Sequence, residues 1–195
     1  MTGPARAISP EEHLEGERVT LRLVTLADCT ERYVAWLADP EVSRYLETRW
    51  SPQPLESVRA FVADMLASAH SYLFAIVRRE TGEHVGNVKV GPVDTRHAYA
   101  DVSYFLGERS AWGKGLGTEA VQLATDFGFA RLGLARMQAG LYKENVGSQR
   151  VLEKCGYVVE GVLRQKLVLG DRRDDHVVLG LLRHEWLARR PEGGA

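Results

Sequence analysis

The 195-residue sequence predicts a mixed α/β domain, one sheet covered by helices. Three observations lead there. Short runs that alternate apolar with polar residues crowd the first half of the chain. A strand-like run, Tyr99–Leu106, passes through a glycine-rich loop into a stretch of helical periodicity at 119–131. After that, strand and helix patterns take turns, and two long strand-like runs close the chain.

Taken in order, residues 18–23 alternate charged and apolar side chains, a first strand. Thr25-Leu26-Ala27-Asp28 has the form of a capping box, and Tyr33, Trp36 and Leu37 keep helical spacing behind it. Asp39-Pro40 ends that helix. Ser51-Pro52-Gln53-Pro54 is a break, and from Ser57 a second helix carries an apolar face that includes Phe61, Met65 and Leu66. Residues 71–79 and 84–90 are strands joined by a turn at Thr81-Gly82. The strand Tyr99–Leu106 follows, then the loop, helix 119–131, strand 137–142 and helix 148–154. The runs Val158–Leu169 and 176–182 are strands divided by Gly170-Asp171.

No repeat, low-complexity tract or linker divides the chain, so one domain is expected over 18–190. Residues 1–17, rich in Pro, Gly, Ala and Glu, are expected to form a mobile tail. The apolar share of 45% and charged share of 26% are ordinary for a soluble globular protein. A net charge of -1 offers no electrostatic case for nucleic acid or a membrane surface. No apolar run has the length of a membrane span and the N-terminus has no signal-peptide core, so a cytoplasmic location is expected. Cys29 and Cys155 stand alone and the histidines have no ligand spacing, so neither disulfides nor a metal is expected.

The most informative residues are Trp112-Gly113-Lys114-Gly115-Leu116-Gly117-Thr118-Glu119-Ala120. Glycines at alternate positions let a backbone curl and come close to a ligand. The N–H groups of the curl and of the first helical turn then converge on an anion, at the positive end of the helix dipole, and Lys114 adds a charge. Strand, glycine curl and helix start together read as a phosphate cradle. A Walker A loop is excluded, because five residues rather than four separate Gly107 from Gly113 and Gly115 stands at the hydroxyl position. A dinucleotide fingerprint is excluded as well, because the third glycine comes one position early, at Gly117, with Thr118 in its place.

Residues 112–117 resemble the pyrophosphate loop of the GNAT acetyltransferases, whose pattern is Gln/Arg-x-x-Gly-x-Gly/Ala. Gly115 and Gly117 match, and Trp112 replaces the first residue, as in the branch that acetylates N-terminal residues of ribosomal proteins. The segment from Glu144 to Tyr157 resembles that family's next strand-to-helix element. The resemblance covers most of the chain and implies the GNAT fold, a mainly antiparallel central sheet flanked by helices. It also implies acetyl-coenzyme A as co-substrate, bound by Phe105, Leu106, Trp112, Gly113, Lys114, Gly115, Leu116, Gly117, Thr118, Asn145 and Ser148. In the family, the strand before the loop splays from the next one and the pantetheine slides between them.

Acyl transfer to an amine needs a neutral amine, a donor for the developing oxyanion and a proton for the leaving thiolate. By resemblance, the backbone N–H of Phe105 or Leu106 is the oxyanion donor. Many family members place a Tyr seven residues after the motif Asn as the thiolate's acid, where this chain has Leu152. Ser148 remains as the acid, or as the N-cap of its helix. For the base, Asp101 and Glu160 are the candidate carboxylates; each is equally readable as a solvent-facing strand residue, and a water relay is the third option. Trp112 either packs beneath the loop or flanks the acyl group. Cys155 reads as a small core residue and Tyr157 as a helix-end packing residue. Tyr45, Arg49 and Trp50 lie where GNAT chains build an acceptor wall.

The reaction implied is transfer of an acetyl group to a primary amine by direct attack in a ternary complex. The acceptor is a protein N-terminus or a small amine such as an amino sugar, an antibiotic or a polyamine. A non-catalytic acyl-coenzyme A sensor is the competing reading, and a homodimer is left open.

Overall fold

A computed structural model of the chain describes residues 8–9 and 11–190. Eight strands form one sheet in the order β1-β2-β3-β4-β5-β6-β8-β7. They are β1 (His13–Glu15), β2 (Val19–Leu23), β3 (Tyr72–Arg78), β4 (His84–Asp94), β5 (Tyr99–Leu106), β6 (Arg136–Tyr142), β7 (Val158–Leu169) and β8 (Arg172–Leu182). Every neighbouring pair is antiparallel except β5 with β6. The helices are α1 (Glu31–Ala38), α2 (Pro40–Ser43), α3 (Leu55–Ala67), α4 (Leu116–Asp126), α5 (Val146–Lys154) and α6 (Arg183–Ala188).

Alternation along each strand separates the two faces. Ala100 and Val102 of β5 and Met137, Ala139 and Leu141 of β6 join Ala120, Val121 and Ala124 of α4 in the main core. On the other face, Ala75 of β3 and partly buried Phe105 of β5 pack with Tyr33 and Trp36 of α1 and Val58 and Val62 of α3. The helices therefore cover both faces, and burial of these apolar side chains drives the layers together.

Several local details depart from the sequence reading. The capping box at Thr25 closes a 3-10 turn, Leu26–Asp28, and α1 begins later, with Thr30 accepting from the Tyr33 N–H at 3.4 Å. Asp39 ends α1 and its carboxylate then caps α2, where Pro40 needs no N–H partner. The buried row of α3 is Val58 and Val62; Phe61 falls one step off it, is 43% exposed and faces the cleft described below. Helix α4 runs into a π-helical turn, Phe127–Arg131. The expected tail at 1–17 is corrected in its described part. There β1 pairs with β2, Ile8 is buried, and the Glu17 N–H donates to Glu119 Oε1. Residues 1–7 and 10 lie outside the described residues.

Candidate active site

The parallel pairing of β5 with β6 stops at Asp101 and Gln138. Beyond that rung β5 stays with β4 as far as Leu106, and β6 stays with β8 as far as Tyr142. Residues 102–106 and 139–142 thus diverge, leaving backbone donors and acceptors without a strand partner in the middle of a sheet. Such groups call for a ligand or water to satisfy them. A cleft of about 1310 Å³ passes through the opening. A pocket for one small ligand has roughly 300–1,000 Å³, so this one has room for two reactants.

On the α4 face the cleft is lined by Trp112, Gly113, Gly115, Leu116, Gly117, Thr118, Asn145 and Ser148. Gly113 and Gly115 have φ of 71° and 77°, the left-handed region that a side chain would strain, and Gly115 is the N-cap residue of α4. The N–H groups of Leu116, Gly117 and Thr118, in the first turn, have no intrahelical acceptor. A curl of this shape points its N–H groups at one place, where an anion can be held. Arg150 and Lys154 on α5 line the same face, and Arg18 Nη1 lies beside Gly115.

Helix α5 begins at this face. The Asn145 Oδ1 accepts from the Ser148 N–H at 3.2 Å, so the cap is Asn145 and the Ser148 hydroxyl is not needed for it. The Ser148 side chain instead lies towards the Tyr104 phenol of β5. Burial pushes the Tyr104 phenol up to about 12, with Ser148 pulling the other way, so the phenol keeps its proton throughout the physiological range.

The opposite face carries Ser103 and Phe105 of β5, Gly140 and Tyr142 of β6, His176 of β8, and Tyr45 and Glu47 from the segment after α2. The Tyr142 hydroxyl donates to Glu47 Oε1 at 2.7 Å, and Trp50 Nε1 donates to Oε2 at 2.9 Å. Burial works to raise the Glu47 pKa, but these two bonds and Arg49 more than offset it and hold the carboxyl below its ordinary value. Arg49 lies 4.2 Å from the Trp50 ring centroid and 4.9 Å from that of Tyr142, and donates to the Val168 carbonyl at 2.8 Å.

A sheet split after a parallel rung, with a glycine curl on one face, matches the arrangement that the sequence resemblance implied. Residues 18–158 match the acetyltransferase (GNAT) domain family. The chain belongs to the GNAT acetyltransferases. It is 32% identical over 177 residues to p20, an uncharacterized N-acetyltransferase of Bacillus licheniformis, covering 90% of this chain and 98% of that one. Among solved structures, Mycobacterium smegmatis RimJ in complex with CoA-disulfide superposes with a TM-score of 0.74 at 23% identity, over 87% of this chain and 88% of that one. Spermidine N-acetyltransferase from Vibrio cholerae, in complex with CoA and spermine, superposes with a TM-score of 0.76 at 19% identity, over 87% and 98%. At those identities the two structures speak for the fold. The chain is a GNAT N-acetyltransferase, and among the described residues no helix is long and apolar enough to cross a membrane.

Within this GNAT domain several expected site residues lie elsewhere. Glu160 is not on the cleft: it pairs through both oxygens with Arg136, over Gly180, where the sheet is still continuous. Asp101 accepts from Gln138 Nε2 at 3.2 Å on the last closed rung, and it too is absent from the lining. Both candidate bases are thereby corrected; the opening starts one residue beyond Asp101, and β7 reaches the cleft at Leu167, further along the strand than Glu160. Lys114, between the two left-handed glycines, is exposed and does not line the cleft. Arg49 and Trp50 do not line the cleft either; they brace Glu47 and Tyr142, and of the expected acceptor wall only Tyr45 faces in. Phe105 and Leu106 line the opening, and Trp112, 41% exposed, donates from Nε1 to the Leu106 carbonyl at 2.9 Å. It braces the loop against β5 while facing the cleft.

Cys155 is buried, its thiol pushed up to about 12 by burial, and Tyr157 is buried with its hydroxyl on Thr125 at 2.9 Å. Sequence reasoning missed Tyr104, Glu47, His176 and Arg18. For Tyr104 a signal existed, since it shares the strand face of Ala100 and Val102 and so points at the cofactor helix. For the others there was none, because their neighbours come from distant parts of the chain.

Proposed function

We propose that the chain transfers the acetyl group of acetyl-coenzyme A to a primary amine by direct attack in a ternary complex. The observation that carries the reading is the opening between β5 and β6, which connects a phosphate-binding face with a separate acceptor face. The two structural relatives crystallised with CoA forms support the co-substrate. When bound, acetyl-coenzyme A supplies the activated acetyl carbonyl. Gly113, Gly115 and the first turn of α4 hold its pyrophosphate, and Arg150 and Lys154 add positive charge. Backbone N–H groups of Phe105 and Leu106 serve the acetyl oxygen. Ser148 gives its hydroxyl proton to the departing thiolate, and Tyr104, in contact with Ser148, completes the path for that proton.

A route through an acyl-enzyme is disfavoured. Neither Cys29 nor Cys155 lines the cleft, and a thiol held as far up as Cys155 is a poor nucleophile at neutral pH. For the acceptor, the spermine bound by the Vibrio cholerae relative points to polyamines. The acceptor face argues against carrying that over: Glu41 and Glu47 stand there with Arg44 and Lys89, a balanced set that does not favour a polycation. A peptide N-terminus, with one charge, fits better.

The test is release of free thiol from acetyl-coenzyme A by the purified chain. Tetra-alanine amide, the same peptide with a blocked N-terminus, and spermidine serve as acceptors. Release with the free peptide alone is expected. No release with any amine would leave acyl-coenzyme A binding without catalysis, and release with spermidine alone would move the acceptor class to polyamines.

A further inference from the structure

We propose that His176 is a catalytic hydrogen-bond donor: its Nε2–H faces the strand opening and stabilises the negative charge that develops on the acetyl oxygen. This rests on the proposed transfer reaction and adds a side-chain donor to the backbone donors on β5. His176 pairs with Tyr142 at the end of β6. Its ring does not stand over its own rung but leans back along β6 onto Gly140, two residues past the last β5–β6 rung. Any side chain at Gly140 would collide with Nε2, so a glycine at this point is what lets the ring reach the opening.

The ring's other nitrogen sets its chemistry. Lys166 of β7 lies with Nζ 3.1 Å from Nδ1. An ammonium has donors only, so Nδ1 accepts and the ring proton sits on Nε2, towards the cleft. Burial first, and then the Lys166 charge, hold the His176 pKa below its ordinary value, with Glu47 working the other way. The charged groups acting on the ring are thus Lys166 on β7 and Glu47 before α3, and Tyr142 of β6 is its backbone partner in the sheet. A neutral ring with a cation behind it is a poor acceptor for an ammonium's proton and a good donor to an oxyanion.

In the reaction the amine nitrogen bonds to the acetyl carbon and the carbonyl electron pair moves onto oxygen, where Nε2–H donates to it without transferring its proton. The nitrogen gives up its extra proton, the carbonyl re-forms, the C–S bond breaks, and the thiolate takes a proton from Ser148, whose oxygen recovers the one the nitrogen lost. Starting from an ammonium, one proton is released to solvent.

Two substitutions in the full chain separate a donor from a base. With tetra-alanine amide and acetyl-coenzyme A, His176→Leu is expected to lower turnover about 10²-fold or more, the usual effect of losing one oxyanion donor. His176→Gln keeps an N–H at nearly the same reach and is expected to recover turnover to within about tenfold of wild type. Coenzyme A affinity by calorimetry and melting temperature should stay near wild type in both, which shows the fold and loop intact. Equal loss in both variants would mean that the ring acts by taking a proton, and full activity in both would mean that it does not act; either overturns the proposal. A wild-type chain that releases no thiol with this peptide or with spermidine overturns the transfer reaction itself, and this inference with it.

Discussion

Ser148 and Asn145 are three residues apart on one helix start, yet the structure gives them opposite expected phenotypes. Asn145 Oδ1 accepts the Ser148 N–H at 3.2 Å, so Asn145→Ala removes an N-cap. That costs about 1 kcal/mol of stability, or roughly 2–4 °C in melting temperature for a domain of this size. The Ser148 hydroxyl plays no part in the cap and instead meets Tyr104. Ser148→Ala should therefore change stability by no more than about 1 kcal/mol, the usual cost of losing one partly buried hydroxyl contact. It should lower turnover by about 10²-fold, equivalent to about 2.7 kcal/mol of barrier, if one proton-transfer group is lost. Each variant is assayed on one sample by thermal melting and by thiol release with tetra-alanine amide. Coenzyme A affinity of Ser148→Ala, read by calorimetry, should be little changed. A Ser148→Ala protein with wild-type turnover would refute the reasoning, and one that melts several degrees lower while fully active would return Ser148 to the cap.

Asp28 accepts from both Arg22 Nη atoms, at 2.8 and 2.6 Å, and from the Thr25 N–H at 2.8 Å. Burial alone would raise its pKa, but these bonds bring it down to about 2 from 3.8. A lowered folded-state pKa contributes stability above the unfolded value and loses it as pH falls through the folded one. Asp28→Asn should thus be less stable than wild type by about 2 kcal/mol at pH 7, a gap that closes between about pH 4 and pH 2; urea melts with an unchanging gap would contradict this. Gly115→Asp puts a side chain at φ 77° and a carboxylate in the phosphate cradle. Coenzyme A should bind roughly 30-fold or more weakly by calorimetry, about 2 kcal/mol, and unchanged affinity would remove the loop from the cofactor site. Glu160→Gln breaks a partly exposed ion pair with Arg136 away from the cleft. Turnover should stay within about twofold and stability within about 1 kcal/mol, and a turnover loss of 10²-fold would restore Glu160 as the base.

Strand and helix positions were legible wherever a local pattern decided them. Ala100, Val102 and their neighbours show the strand alternation, and Gly82 and Gly170, both at positive φ, mark the two turns read from sequence. The glycine curl was legible too, since left-handed backbone at Gly113 and Gly115 is a property of the residue type. The misreadings share a cause. Thr25 has a capping box but the chain turns only once behind it, and Phe61 has the right spacing to be near the buried row but sits one step off. Both depend on which neighbour the helix meets.

Local sequence by itself thus determined the element types, the glycine curl at the start of α4 and, through the family pattern it carries, the reaction class. What only the tertiary structure decided is which side chains share the cleft. Glu160 and His176 are both polar residues on long strands, and no pattern in either strand separates them. The first lies over Gly180 against Arg136, and the second lies over Gly140 beside the opening. The difference arises because β5 and β6 part after three paired residues, a fact set by how β4 and β8 hold their partners from either side. Periodicity reports the face a residue takes, while its place relative to the opening depends on pairings between residues more than thirty positions apart, such as Asp101 with Gln138.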